Sequence, residues 1–282
     1  MKAYEPQRCL ADDHLYTPRI KQHSLEKIRL HNYYVSLFTR SMKHHWPQLA
    51  YLGLYSGAGR AVVEESGEIV ETSALSAVRI DSPFTKYIFV DKDPRCIEAL
   101  SARIAAVPGQ HDVTLINKDV VEAVSDIKTA MPRYDKNRGL LSFCFVDPFS
   151  AALDFEVIRA LGSRYKMDFL VLLMLGRDVR TNFKRYFLDP SDTRIARLID
   201  DPHWRDEWMS LGRPNRIVKY VCEKFHAAMA RLGYQSGDPH PVYNGKNALL
   251  YFLVFYSKHP LGLRFWAEAR KGISAQLTFD FH

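Results

Sequence analysis

The chain has 282 residues, of which 47% are hydrophobic, 12% aromatic and 25% charged, which suits one large folded unit and excludes disordered, collagen-like and coiled-coil classes. Its 39 Lys and Arg against 32 Asp and Glu leave a formal charge of +7, a balance that fits a polyanionic partner and equally fits solubility alone. The longest apolar runs (169–175 and 248–256) fall far short of the roughly 20 residues of a membrane span, Glu5, Asp12 and Asp13 interrupt any signal peptide, and the four cysteines form no metal-ligand spacing, so the expectation is a cytoplasmic protein with no membrane association, disulfide frame or metal.

Thr17-Pro18 makes an N-cap and first-turn pair, and Leu30, Tyr33, Tyr34, Leu37 and Phe38 repeat as one buried helix face. Residues 17–46 therefore read as a long helix with Lys21, Lys27, Arg29 and Arg40 outward, stopped by Pro47. Short runs rich in β-branched and aromatic residues follow at 49–55, 87–90, 113–117, 141–146 and 168–175. Helical stretches at 94–107 and 120–130 separate several of them, which means βαβ units and a mostly parallel sheet. Residues 60–71 read as a polar loop, with the next helix capped by Thr72 or Ser73. Residues 177–215 carry charge, prolines and aromatics without a long apolar run, and read as an inserted cap. An amphipathic helix at 216–232 precedes two strands, 239–243 and 248–257, that flank Asn244-Gly245-Lys246-Asn247, a hairpin turn signal. The last strand should run antiparallel to the rest. The fold class expected is α/β: a Rossmann-like class I methyltransferase sheet, mostly parallel, with an antiparallel C-terminal hairpin strand. Its parts are an N-terminal helical extension (1–48), a first core segment (49–176), the cap (177–215) and a closing core segment with a final helix (216–282).

Open α/β sheets bind ligands at the carboxyl ends of their strands, so the residues placed there matter most. The first strand runs into Tyr55-Ser56-Gly57-Ala58-Gly59, where two glycines permit a sharp turn and close approach of a ligand. No helix starts directly after them, which speaks against a pyrophosphate-binding nicotinamide site. Asp91 ends the second strand and suits ribose hydroxyls; Asp119, after the third, suits an adenine amino group; Asp93-Pro94 suits a helix start. Ser56, Gly57, Ala58, Gly59, Asp91 and Asp119 are thus the candidate cofactor residues, and an adenosine cofactor, S-adenosylmethionine, is expected. The fourth strand delivers Asp147-Pro148-Phe149-Ser150, similar to the Asp/Asn-Pro-Pro-aromatic loop of amino-group methyltransferases with one proline missing. Asp147, Pro148 and Phe149 are the candidate catalytic residues; a bland strand terminus is the alternative. Basic and aromatic residues interleave from Arg177 to Trp208, a mixture that suits nucleic acid, although the tryptophans equally suit a small core.

Several stretches resemble the three-Cys-motif partner proteins of bacteria and their mobile elements. They are Ile20-Lys21-Gln22-His23 in the first helix, Leu54-Tyr55-Ser56-Gly57-Ala58-Gly59, Val90-Asp91-Lys92-Asp93-Pro94, Val146-Asp147-Pro148-Phe149, and Ser257-Lys258-His259-Pro260-Leu261-Gly262 with Phe265-Trp266. Thr72-Ser73-Ala74 stands where that family has Gly-Ser-Pro. The resemblance implies a methyltransferase-like fold and a partner protein bearing a three-cysteine motif of the radical type. Two functions follow as expectations: a methyltransferase acting on nucleic acid at a base amino nitrogen with that partner, or a non-catalytic nucleic-acid or partner-binding module of a bacterial or mobile-element defence system.

Overall fold

The computed structural model of the protein describes residues 5–133, 139–212 and 216–279. Its N-terminal part contains β1 (Arg19–Ile20), α1 (Ser24–Met42), β2 (Gln48–Leu54), β3 (Arg60–Val63), β4 (Ile69–Glu71) and α2 (Ser73–Val78). Next come β5 (Lys86–Asp91), α3 (Pro94–Ala105), β6 (Val113–Asn117), α4 (Val124–Ala130), β7 (Leu140–Val146), α5 (Phe155–Gly162) and β8 (Met167–Leu173). A π-helical turn (Leu175–Val179) leads into α6 (Arg180–Leu188), α7 (Arg194–Ile199) and α8 (Trp204–Leu211). The chain closes with α9 (Ile217–Arg231), β9 (Gln235–Ser236), β10 (His240–Tyr243), β11 (Leu249–Ser257) and α10 (Pro260–Phe279).

The main sheet runs β10-β11-β8-β7-β2-β5-β6, with β9 on the end of β11. β6, β5, β2, β7 and β8 are mutually parallel, and β11 is antiparallel to both its neighbours. From β2 the chain steps to β5 and β6 on one side, then returns to β7 and β8 on the other. The order therefore reverses between β2 and β7, which opens a crevice at their carboxyl ends.

The central strands β2, β5, β7, β8 and β11 are buried on both faces because alternate side chains feed two helix layers. Leu52, Leu54, Ile88, Val90, Cys144 and Val146 meet α4, α5 and α9. Tyr51, Tyr87, Phe89, Phe143 and Phe145 meet Tyr34 and Phe38 of α1 and Trp266 of α10. Each such ring, fully buried, contributes about 1.5–3 kcal/mol by leaving water. Helix α3 begins where Asp93 accepts a hydrogen bond from the Arg95 amide at 3.0 Å, with Pro94 in its first turn. Among the described residues, no helix is long and apolar enough to cross a membrane.

Three readings need correction. The first helix starts at Ser24 and not at Thr17. Residues 60–71 are a hairpin, not a loop: β3 and β4 pair antiparallel, and β3 pairs parallel with β1. That edge captures the segment expected to be helical, through Val62 N–H to Pro18 O and Glu64 N–H to Ile20 O, both 2.9 Å. Thr17, instead of capping a helix, accepts a hydrogen bond from Arg103 at 2.8 Å. Third, the cap is folded into the main core. Trp204 and Trp208 are buried, and Trp208 lies edge-on to Tyr220 of α9 with ring centroids 5.1 Å apart.

Candidate active site

The glycine turn after β2 is built from backbone that glycine tolerates. Gly57 and Gly59 have φ of +66° and +82°, and Tyr55 itself sits at +62°. Their environments differ. A Cβ on Gly57 would meet nothing within 4 Å, whereas one on Gly59 would lie 2.9 Å from Leu100 Cδ1 and 3.3 Å from Leu75 Cβ. Gly57 thus faces a ligand space, and Gly59 faces the packed α2 and α3.

Asp91 ties this turn to β5. One of its oxygens accepts from the Gly57 amide at 2.8 Å and the other from the Asp93 amide at 3.0 Å. Ser56 N–H donates to Val90 O at 3.0 Å. Each carboxylate oxygen keeps a lone pair for a further donor. Asp119 follows β6 at the same edge of the sheet, is exposed, and accepts from the Val121 amide at 3.0 Å. It starts the turn into α4.

A cleft of about 80 Å³ opens at the strand-order reversal, lined by Lys27, Tyr51, Ser56, Gly57, Ala58, Ser73, Asp147 and Phe149, among others. The structure therefore gathers Ser56, Gly57, Ala58, Asp147 and Phe149 in one hollow. Asp91 adjoins it through Gly57, Gly59 and Pro148 belong to the packing around it, and Asp119 lies outside its lining. Phe149 is 83% exposed. A ring left in water beside a cleft is free to stack on a ligand.

Lys27 was expected to point outward. Its ammonium instead donates to both oxygens of Asp147, at 2.6 and 2.8 Å, with the two side chains only 16% and 20% exposed. An ion-paired carboxylate accepts hydrogen bonds and does not donate them. Lys21 and Arg40 do lie at the surface, pairing with Glu64 and Asp81, and the partly buried Arg29 pairs with Glu5. Lys27 stands one turn before the buried His31 on α1, and a lone cation on an inward face was the available signal of a buried counter-charge.

Two further groups escaped the sequence. His31 is buried, with Nδ1 2.9 Å from Asn32 Oδ1 and Nε2 2.8 Å from the Tyr51 hydroxyl. Asn32 Oδ1 can only accept, so His31 Nδ1–H donates and Nε2 accepts from Tyr51. Burial pulls the His31 pKa down to about 4. Secondly, the segment before β1 forms a strap beside the glycine turn. Arg103 of α3, itself buried, donates to both oxygens of Asp13 (2.7 and 2.8 Å), to Tyr16 O (3.1 Å) and to Ala58 O (2.7 Å). The Arg103 hydrogen bonds hold the Asp13 carboxyl down to about 2. Pro18 and Ile20, which continue this strap, wall the cleft.

The cap docks on the Asp147 loop through Asp178, which accepts from the Ala151 amide at 2.6 Å and from the Tyr186 hydroxyl at 2.6 Å. Its cations differ in how they are engaged. Arg205 donates to the carbonyls of Tyr186, Phe187, Asp189 and Asp192, and Arg194 pairs with Asp192. These two are structural, and Arg197 lies 3.5 Å from Asp154. Arg177, Arg180 and Lys184 are exposed and make no ion pair among the described residues. Among the described residues no group of three or more His, Cys, Asp or Glu is placed to hold a metal.

The sequence matches no family model and no curated protein. Solved structures do match. Protein LPL1258 from Legionella pneumophila shares 9% identity over 85% of this chain and 89% of its own, with a TM-score of 0.50. A putative O-methyltransferase from Klebsiella pneumoniae (9% identity, 81% and 80% of the two chains, TM-score 0.44) is also similar. So is the O-methyltransferase TomG from Streptomyces achromogenes, solved in complex with SAM (12% identity, 81% and 79%, TM-score 0.44). At these identities the likeness is one of fold. With the strand order and the antiparallel β11, it defines a Rossmann-like class I methyltransferase fold.

Proposed function

We propose that the protein is an S-adenosylmethionine-dependent methyltransferase of the cytoplasm, acting on an exocyclic amino nitrogen of a nucleic-acid base and working with a partner that bears a three-cysteine motif. The residues present fit the cofactor: Gly57 leaves an unfilled cradle where a Cβ would stand, and Asp91 keeps lone pairs beside it. Ser56, Gly57 and Ala58 would hold its methionine end, Asp91 its ribose and Asp119 its adenine edge. Bound there, it supplies an electrophilic methyl group on a sulfonium.

The chain's own contribution is positional. Lys27 fixes the Asp147 carboxylate in place. That carboxylate accepts an N–H of the target amine and aims the nitrogen lone pair into the cleft. Phe149 offers its exposed ring to the base. The observation that carries this reading is the pairing of a held acceptor, Asp147, with a bare aromatic ring two residues on. The three-cysteine partner rests on the sequence resemblance alone.

The test is transfer of a tritiated methyl group from the cofactor to separated DNA, RNA, protein and small-molecule pools, with and without the partner. Label in DNA or RNA that disappears in Asp147→Ala supports the proposal. Label confined to protein or small molecules replaces its substrate. The bidentate Lys27 pair also favours a second reading, a non-catalytic module whose carboxylate is structural; full biological activity of a folded Asp147→Ala protein would establish it.

A further inference from the structure

Three of the cap's exposed cations, which also include Arg185 and Arg197, stand together along one short path. Arg177 lies in the π-helical turn, Arg180 opens α6 and Lys184 follows one turn later. Seven residues of helix cover roughly 10 Å at about 1.5 Å per residue. None of the three has a carboxylate partner among the described residues, although Asp178, Asp189 and Asp192 are close in sequence. Those acids are already engaged: Asp178 by Ala151, Asn182 and Tyr186, Asp189 by Ser191, and Asp192 by Arg194. The fold thus satisfies these acids with internal hydrogen bonds and, at Asp192, one ion pair, and leaves the three cations facing water.

The path begins next to the cleft. Asp178, one residue after Arg177, holds the Ala151 amide at 2.6 Å, two residues beyond the exposed Phe149. Arg177 is also near enough to His23, which precedes α1, to lower its pKa, though burial is the larger cause. A ring that stacks on a base and cations that follow phosphates therefore adjoin. An exposed ring can stack only on a base that is out of a duplex.

We infer that Arg177, Arg180 and Lys184 form a phosphodiester track that leads a single-stranded nucleic acid to Phe149. The inference rests on the proposed function for its choice of polyanion, and it names a binding surface that the methyl-transfer reading does not require.

Oligo-dT and oligo-U 15-mers, fluorescently labelled and titrated at several salt concentrations, test it and distinguish DNA from RNA. Three phosphate contacts on a single strand give a log–log salt slope of about −2. The triple substitution Arg177→Gln, Arg180→Gln, Lys184→Gln should flatten the slope by about 2 and weaken binding at least tenfold at low salt. Phe149→Ala should weaken binding roughly 5- to 150-fold at each salt concentration and leave the slope unchanged. Far-UV circular dichroism and Tm serve as the fold control for both variants. An unchanged slope in a folded triple variant overturns the track, and so does equal affinity for a duplex of the same length. Track-dependent binding of either oligonucleotide without methyl transfer sustains the track and removes the methyltransferase reading. Transfer to another pool with no oligonucleotide binding does the reverse.

Discussion

The two glycines of the turn after β2 separate packing from ligand binding, and alanine substitution at each reads them independently. Gly59→Ala forces a side chain into left-handed backbone, at about 1–2 kcal/mol. It also drives a Cβ to 2.9 Å from Leu100 Cδ1 and 3.3 Å from Leu75 Cβ, an overpacking that costs about 1–3 kcal/mol. The sum, roughly 2–5 kcal/mol, should lower Tm by about 3–8 °C in a chain of this size. Gly57→Ala carries the backbone cost without the clash, because nothing lies within 4 Å of its Cβ, so Tm should fall by only about 2–3 °C. Its methyl group would nevertheless occupy the cleft, and affinity for S-adenosylhomocysteine should fall at least tenfold, about 1.4 kcal/mol. Differential scanning calorimetry and isothermal titration calorimetry on both variants give the two readouts. A Gly57→Ala protein that binds like the wild type would refute the reasoning, because it would mean that no ligand approaches this backbone.

Lys27→Met should leave Asp147 without its counter-charge, lowering stability by about 1–3 kcal/mol and methyl transfer by at least tenfold, with cofactor affinity unchanged; partial recovery in Lys27→Arg, measured by single-turnover transfer, separates positioning from packing. The neutral, buried His31 should make the fold acid-sensitive. Its pKa falls from 6.5 to about 4 on folding, so stability is complete above pH 6.5 and as much as about 3 kcal/mol is lost as the pH drops to 4. Urea unfolding of His31→Gln across that range should show a shallower dependence, and an identical one would contradict the assignment. Arg103→Met should remove the bonds to Tyr16 and Ala58 and leave Arg60 as the ion-pair partner of Asp13, cost about 1–3 kcal/mol, and speed hydrogen exchange at residues 13–18; unchanged protection there would mean that Arg103 does not anchor the strap.

What the sequence made legible follows from which forces act locally. The strands at 87–90 and 141–146 and the helix start at Asp93-Pro94 are visible because burial on both faces and helix capping leave compositional marks. The 60–71 hairpin was hidden because its strands are short and flank Glu64, Glu65 and Glu68, while its apolar contribution is confined to residues such as Ala61, Val63 and Val70. Missing the hairpin meant missing β1, whose pairing exists only across 43 residues of chain. The same limit governs the site. Asp147 could be placed at a strand end from its apolar stem, but its partner Lys27 is 120 residues away, and although its place on the inward face of α1 marks that lysine as unusual, nothing local says which carboxylate it meets. Arg194 and Arg205 resembled Arg177 and Arg180 in sequence; only the fold shows that the first two are tied to the cap's own backbone and carboxylates.

The central claim is that the carboxyl edge of β2, β5 and β7 encloses one adenosine-bearing cofactor, and the most direct measurement is isothermal titration of S-adenosylhomocysteine into the wild type and into Asp91→Ala. The account predicts saturable one-to-one binding by the wild type and at least tenfold weaker binding by a folded Asp91→Ala protein. Absence of binding in the wild type, or equal affinity in the two, would contradict it.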